Sequence, residues 1–571
     1  MRRPVRTNSQ WGRIIAVLAV CGFSFFVHGG APAVSLMESR NFVAAREMVA
    51  GGSWLIPTLN GEPRLAKPPL PTWAVAALQS LTGPTENLAL LRLPAALAAT
   101  LLVLFFWALA RELTRHQPAE AAAPGRTAWL AALVLASSLL IIVTGREGQW
   151  DIFASSLMIG ALWLLVRGWR QPGPAYAPLL GAGLLAGLSM LSKGPVAVYA
   201  VLLPFVGAYL VGQPGYRRQV VRQGRGTTLA AVVALLVGLS WPGHIGLALA
   251  PLALKVARTE VTSWGGRHVQ PFWYYWSFFA FTGLWALVAL LSLVWPYARP
   301  RLRGILPYAQ ILGWLVASLV LLSLVPEKKE RYMLPLMPPL ALLVAGLLRY
   351  WETWQATRPQ PATPTADVWL LRGWGSLLVA VFLALPAAMV LSRLPGFGVG
   401  SIWFAMAVGV CGALTGWVGW GVRQVRPTAL VAATLAGVGA IIGLLMPAYP
   451  GWEARKGTPG LRQLRDARQE PYLRRIATWR SLDTLHVKQV WAAGRAVPVW
   501  HPSVEALAGL REPVVLFSGG NAADRLPTGW ERYVQLQLLD SFYLGQDQQS
   551  GYWRISRIDP LKHPHNKVAN H

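Results

Sequence analysis

Residues 38–73 read ESRNFVAAREMVAGGSWLIPTLNGEPRLAKPPLPTW. A carboxylate, Glu38, opens the stretch, an amphipathic segment follows, and Lys67 stands directly before Pro68 and Pro69. Prolines at 68, 69 and 71 fix backbone φ, so the lysine sits on stiffened chain. The stretch is too polar to span a bilayer and too apolar for a solvated loop. It reads as a membrane-surface platform that follows a first apolar helix.

The surrounding chain supports a membrane setting. Its 571 residues are 54% hydrophobic and only 13% charged, where a soluble domain is about a quarter charged. About thirteen apolar stretches approach the length that crosses a bilayer: 11–29, 88–110, 126–143, 151–167, 175–192, 194–212, 227–248, 272–295, 304–325, 333–350, 369–391, 400–421 and 428–447. The chain is predicted to be a polytopic α-helical membrane protein. Residues 1–447 form its transmembrane domain, with membrane-surface helices in a first outer loop, 31–87. Residues 448–571 change composition. Short β-like runs at His486–Ala492, Pro513–Ser518, Tyr533–Leu539 and Tyr552–Ile558 predict a small α/β domain with a disordered tail.

Net charge is +28, yet no nucleic-acid partner is expected. Basic residues of membrane proteins collect in cytoplasmic loops and face anionic lipid. Arginines at 2, 3, 6, 13, 111, 115, 126, 217, 218, 222, 299, 301 and 303 fall on one side if the spans alternate. That side is predicted cytoplasmic, with the N-terminus; an odd span count puts the C-terminal domain in the periplasm of a bacterial inner membrane. The basic start, apolar run and Ala31-Pro32-Ala33 also fit a cleavable signal peptide, and either reading leaves residue 38 outside. Cys21 and Cys411 both lie in apolar runs, so neither a disulfide framework nor a Cys-based metal motif is expected.

The ionisable residues of the outer side carry the functional signal. Glu38, Arg40 and Lys67 lie in the first loop, Asp151 in the second, Lys193 in the third. Arg267 and His268 lie in the fourth, with Glu260; Lys328, Lys329 and Tyr332 lie in the fifth. Ion-coupled transporters place such groups near the bilayer midplane. Here they sit at helix ends on one face, which suits chemistry on a substrate with a buried tail and an interfacial head. Each also has a plain reading: Lys193 before Gly194-Pro195 fits a tight turn, Asp151 a helix start, His268 interfacial packing.

The ordered set E-S-R-N-F, A-R-E-M-V, G-S-W-L-I-P and K-P-P-L-P resembles the first outer loop of glycosyltransferase family 39. Asp151, S-K-G-P at 192–195, H-x-x-P-F-W-Y-Y at 268–275 and P-x-K-x-x-R-Y-x-L-P at 326–335 extend the match over about the first 350 residues. The family includes protein O-mannosyltransferases and lipid A aminoarabinose transferases. The resemblance implies a C-type glycosyltransferase fold and a polyprenyl-phosphate-sugar donor from the membrane. It implies inverting transfer to a lipid (lipid A-like) or protein acceptor. Glu38 and Asp151 are then the candidate catalytic carboxylates. Arg40, Lys67, Arg267, His268, Lys328 and Tyr332 would hold the donor phosphate, with Asn41, Lys193 and Lys329 lining the cavity. No cofactor is required by the sequence; a divalent metal is compatible with two carboxylates but has no closed site behind it. Two positions depart from the family: Met37 replaces its catalytic Asp, and Ala66 precedes Lys67 where the family has Glu. A flippase for lipid-linked sugars and a catalytically inactive relative are the alternatives.

Overall fold

The computed structural model describes residues 8–263, 265–357, 365–393, 396–456, 459–543 and 551–561. The chain divides into two compact units: Met1–Ala33 with Leu65–Gly451, and Val34–Arg64 with Trp452–His571.

The first unit is helical. Among the described residues eight helices are long and apolar enough to cross a membrane, or up to ten if each of two bent pairs counts as one span. Every one of the expected stretches lies on helix. The expected number of crossings is not reached because Gln10–Phe26 and Tyr308–Leu324 are shorter and others are broken. One break has a clear cause. Ser137 and Ser138 turn their hydroxyls back onto the carbonyls of Leu133 and Val134. Arg126–Ala136 and Leu139–Gly145 then meet at 61°. The innermost spans are Glu330–Gln355, 89% buried over its apolar window, and Trp150–Trp169, 78% buried. Gly224–Ala248 and Ile402–Arg423, at 22% each, are peripheral. Both inner spans begin within two residues of a candidate site residue, Asp151 or Tyr332.

Helix direction follows from end contacts. Arg170 donates to the carbonyl of Glu112, so Leu93–Thr114 and Trp150–Trp169 finish at the same side. Lys193, the last residue of Tyr176–Lys193, pairs with Asp151 near the start of Trp150–Trp169, so those two run antiparallel. The Asp151 end therefore lies opposite the Glu112 end, about 30 Å away at 1.5 Å per residue.

The second unit departs from the expected boundary, which kept all of 31–87 with the transmembrane domain. Helix Leu36–Val49 starts at Ser35 in a capping box: Ser35 Oγ accepts from Glu38 N at 3.3 Å and Glu38 Oε2 accepts from Ser35 N at 2.9 Å. Its apolar face packs on C-terminal residues rather than on lipid. Val43 shares a buried cluster with Leu464, Trp479, Val490 and Phe517, and Phe42 lies 5.8 Å from the Trp491 ring. A hairpin follows, β1 (Thr58–Leu59) and β2 (Glu62–Pro63), turned by Asn60 and Gly61 at φ 59° and 83°. Asn60 exchanges two hydrogen bonds with the Val497 backbone, 2.8 and 2.6 Å, which fastens the hairpin to the same unit.

Strands β3 (Thr478–Ser481), β4 (Val514–Ser518), β5 (Val534–Tyr543) and β6 (Tyr552–Pro560) form one sheet in the order β3-β4-β6-β5, with only β3–β4 parallel. Three of the expected runs are strands; His486–Ala492 is instead a helix, Val487–Ala493. His486 caps it, Gln489 closes the capping box, and Gly494 at φ 74° ends it. The expected tail 563–571 lies outside the described residues.

Candidate active site

Within the first unit, polar contacts join in series all five loops expected on the outer side. Lys67 Nζ of the first loop is 3.5 Å from Glu260 Oε2 of the fourth, and Arg267 is 3.8 Å from Glu260 Oε1. The fourth loop pairs with the fifth as a short antiparallel bridge between Val269 and Glu327. Gln270 N donates to Pro326 O at 3.3 Å and Lys328 N to His268 O at 3.1 Å. The fifth loop reaches the second through Arg331, whose Nε is 3.7 Å from Asp151 Oδ2 and whose NH1 donates to Gln149 Oε1 at 3.3 Å. Asp151 completes the series by pairing with Lys193 of the third.

Tyr332 sits at the middle of this group. Lys193 Nζ stands 4.6 Å above its ring. Its hydroxyl donates to Glu327 Oε1 at 3.4 Å, and Lys329 Nζ is 2.7 Å from that same oxygen. Burial acts to raise the Glu327 pKa, but the Lys329 hydrogen bond and charge, with Arg267 and His268, outweigh it and hold the carboxyl below its usual range. Glu327 is thus a fixed anion that orients Lys329 and Tyr332. Asp151 does the same for Lys193 and Arg331. Lys193, Arg331 and Lys329 stand against only Asp151 and Glu327, so the group keeps a net positive charge.

Other cations of this face serve the scaffold. Lys328 donates to Gln270 O at 3.1 Å and Val325 O at 2.7 Å, and burial lowers its pKa. Arg146 donates to the carbonyls of Ser24, Val27 and His28 and ties down the end of the first helix. His268 is exposed at φ 50°, a backbone conformation unusual for a non-glycine residue.

Three expected residues belong to the second unit. Glu38 is fully buried in its capping box, Asn41 is fully buried, and Arg40 NH1 lies 3.7 Å from Met37 Sδ. The sequence reading passed over Arg331, Glu327 and Gln149 as site residues. Arg331 was visible as the arginine of P-x-K-x-x-R-Y; Glu327 and Gln149 carried no motif signal. Among the described residues no group of three His, Cys, Asp or Glu side chains is placed to hold a metal ion.

The family profile for dolichyl-phosphate-mannose-protein mannosyltransferases matches residues 66–241. The undecaprenyl phosphate-alpha-4-amino-4-deoxy-L-arabinose arabinosyl transferase of Pseudomonas paraeruginosa is 30% identical over 459 residues, 74% of this chain and 73% of that protein. The chain belongs to glycosyltransferase family 39. It is a multi-pass membrane glycosyltransferase, not the flippase kept as an alternative. The Pseudomonas aeruginosa transferase of the same name is also 30% identical, over 455 residues. The crystal structure of ArnT from Cupriavidus metallidurans bound to undecaprenyl phosphate superposes with a TM-score of 0.67 at 17% identity, covering 95% of this chain and 98% of that one. Its apo form gives 0.64. These likenesses establish the C-type glycosyltransferase fold.

Proposed function

We propose that this enzyme transfers a sugar from a polyprenyl-phosphate donor to a lipid or protein acceptor, with inversion, at the periplasmic face of the inner membrane. The observation that carries this reading is the joined set Asp151, Lys193, Arg331, Tyr332, Lys329 and Glu327, where three cations and two carboxylates stand together at the ends of apolar spans. A lipid-linked phosphate brings its head to that level while its tail stays in hydrocarbon. The relatives' name, with undecaprenyl phosphate as sugar carrier, supports the same donor class.

In transfer the acceptor oxygen attacks the anomeric carbon and the bond to the carrier phosphate breaks. The electron pair of that bond goes to the phosphate, which gains charge as the sugar becomes oxocarbenium-like. Lys193, Arg331 and Lys329 are assigned to that growing charge, held in place beforehand by Asp151 and Glu327. Lys67 and Arg267 add weaker attraction, since both side chains are at least 30% exposed. The protein supplies the cations itself, so chelation with EDTA is expected to leave transfer unchanged. The arginine distribution supports a cytoplasmic N-terminus and a periplasmic second unit.

Glu38, the other expected catalytic carboxylate, is fully buried and caps its own helix in the second unit, so its proposed part in the chemistry is tested separately from the donor group. Its capping role makes Glu38→Gln the informative variant. Gln keeps both capping-box hydrogen bonds and removes only the charge. Sugar transfer in membranes should fall by about 100-fold with normal protein levels. Undiminished transfer removes Glu38 from the chemistry.

A further inference from the structure

The apolar helices have a second polar end. Leu93–Thr114 finishes at the side opposite the Asp151 group. There Arg111, Arg115 and His116 line an open cavity of about 440 Å³ with Glu120, Pro124 and Gly125. Its walls are held in shape. Glu120 accepts from the amides of Gly125 and Thr127. Ala119 N donates to Gly304 O at 3.0 Å, and Arg13 NH1 donates to Pro124 O at 2.6 Å.

Charge in this cavity is unbalanced. The Glu120 carboxylate is turned onto backbone amides, and Glu112 pairs with Arg115 at 3.0 Å. Among the described residues Arg111 has no ion pair or side-chain hydrogen bond. A guanidinium fork left open beside a second arginine suits the oxygens of a phosphate.

The helix leading to the cavity selects the source of that phosphate. Leu97, Leu101, Leu104, Ala108, Arg111 and Arg115 recur every three or four residues, so they share one face of Leu93–Thr114 and its C-cap. Leu97 and Leu101 are 50% and 44% exposed, Leu104 and Ala108 are half-buried, and both arginines are exposed. Exposed leucine on a membrane-spanning helix faces lipid. An apolar strip that runs into two arginines matches a molecule with acyl chains and an interfacial phosphate. A soluble anion would use the arginines alone.

We propose that this cavity binds the headgroup phosphate of an anionic glycerophospholipid of the bilayer, with the acyl chains lying along residues 97–108. It is a second lipid site, about 30 Å from the group assigned to the donor. Its occupant is a bilayer lipid and not a reactant, so the inference stands apart from the transferase reading.

Native mass spectrometry of the full chain in detergent tests it, with phosphatidylglycerol and phosphatidylcholine of identical acyl chains. The second lipid carries a choline cation that cancels its phosphate charge. Arg111→Gln and Arg115→Gln should each weaken phosphatidylglycerol binding about fivefold, the effect of one arginine at an anionic lipid surface. Phosphatidylcholine binding should stay within about twofold. Arg423→Gln removes an exposed arginine at the end of another apolar helix and should change neither lipid. Undiminished phosphatidylglycerol binding when both cavity arginines are replaced overturns the proposal. So does an equal loss for both lipids, or a loss with Arg423→Gln as large as with Arg111→Gln, because the lipid would then follow total charge. Displacement of phosphatidylglycerol by millimolar inorganic phosphate would make this a site for a soluble anion and overturn the lipid assignment.

Discussion

Two carboxylates of the transmembrane unit look alike in sequence and differ in structure. Asp367 and Asp151 each open an apolar helix, and each pairs with an arginine. Asp367 is closed. It accepts five hydrogen bonds: from Arg301 Nε and NH2 at 3.0 and 3.1 Å, Tyr297 at 2.6 Å, Tyr350 at 3.3 Å and Trp351 at 3.2 Å. Every donor there has its acceptor, and the network joins Trp295–Leu302, Met337–Thr357 and Ala366–Leu391. Asp151 is open. It holds two cations, Lys193 and Arg331, the second at 3.7 Å, in a group of three cations and two carboxylates. A carboxylate saturated by five donors has no lone pair left for a further partner and reads as structure, whereas a group with more cations than carboxylates is left with charge for an anionic ligand.

Amide substitution at the two positions should give opposite phenotypes. Asp151→Asn removes the charge that positions Lys193 and Arg331. Transfer should fall about 100-fold or more, with donor KM raised, while the melting temperature in detergent moves little. Asp367→Asn weakens a carboxylate network of five hydrogen bonds and leaves Arg301, itself half-buried, against a neutral group. Stability should drop by about 3 kcal/mol, with the activity of the remaining folded enzyme near normal. If both variants lose stability and keep specific activity, the contrast between the two sites is wrong. One step smaller, Arg331→Lys keeps the charge but loses the guanidinium fork, and donor KM should rise about tenfold. Unchanged donor KM would remove Arg331 from the phosphate group. Smaller again is Lys67→Ala. Its pair with Glu260 is long and partly exposed, so a rise of roughly threefold in donor KM is expected, and a rise as large as that for Arg331 would promote Lys67 to the core of the site.

The sequence showed which residues gather at one set of helix ends, because charge and proline are scarce in a chain that is 54% hydrophobic. Asp151, Lys193 and Tyr332 came from that pattern, and the structure brings all three together. It did not show bonding state. Lys328 and Lys329 are adjacent, yet one donates to backbone carbonyls and the other to a carboxylate. Glu38 looked free in sequence, and only Ser35 three residues earlier signalled the capping box. The partition of the first outer loop was hidden for a related reason. An apolar helix face such as Phe42 and Val43 reads the same whether lipid or protein covers it, and here the C-terminal residues cover it. His486–Ala492 misled because Val487 and Val490 favour strand locally, while the caps that decide for helix are at its two ends.

Lys328 supplies the smallest and sharpest test of the comparison. It lies in the same loop as Lys329 and Arg331, so location alone assigns it to the donor phosphate. Its bonds assign it elsewhere, since Nζ joins Gln270 O to Val325 O and is 4% exposed with its residue. Lys328→Met keeps the length of the side chain and removes both bonds. Two backbone carbonyls lose their bonds to a buried side chain, which costs about 1 kcal/mol of stability. Donor KM should stay within about twofold of the unaltered enzyme. A melting temperature that does not move, together with a tenfold rise in donor KM, would mean that nearness to the ligand outranks hydrogen-bond satisfaction in setting what a cation does here, and the closed-versus-open distinction between Asp367 and Asp151 would lose its physical basis.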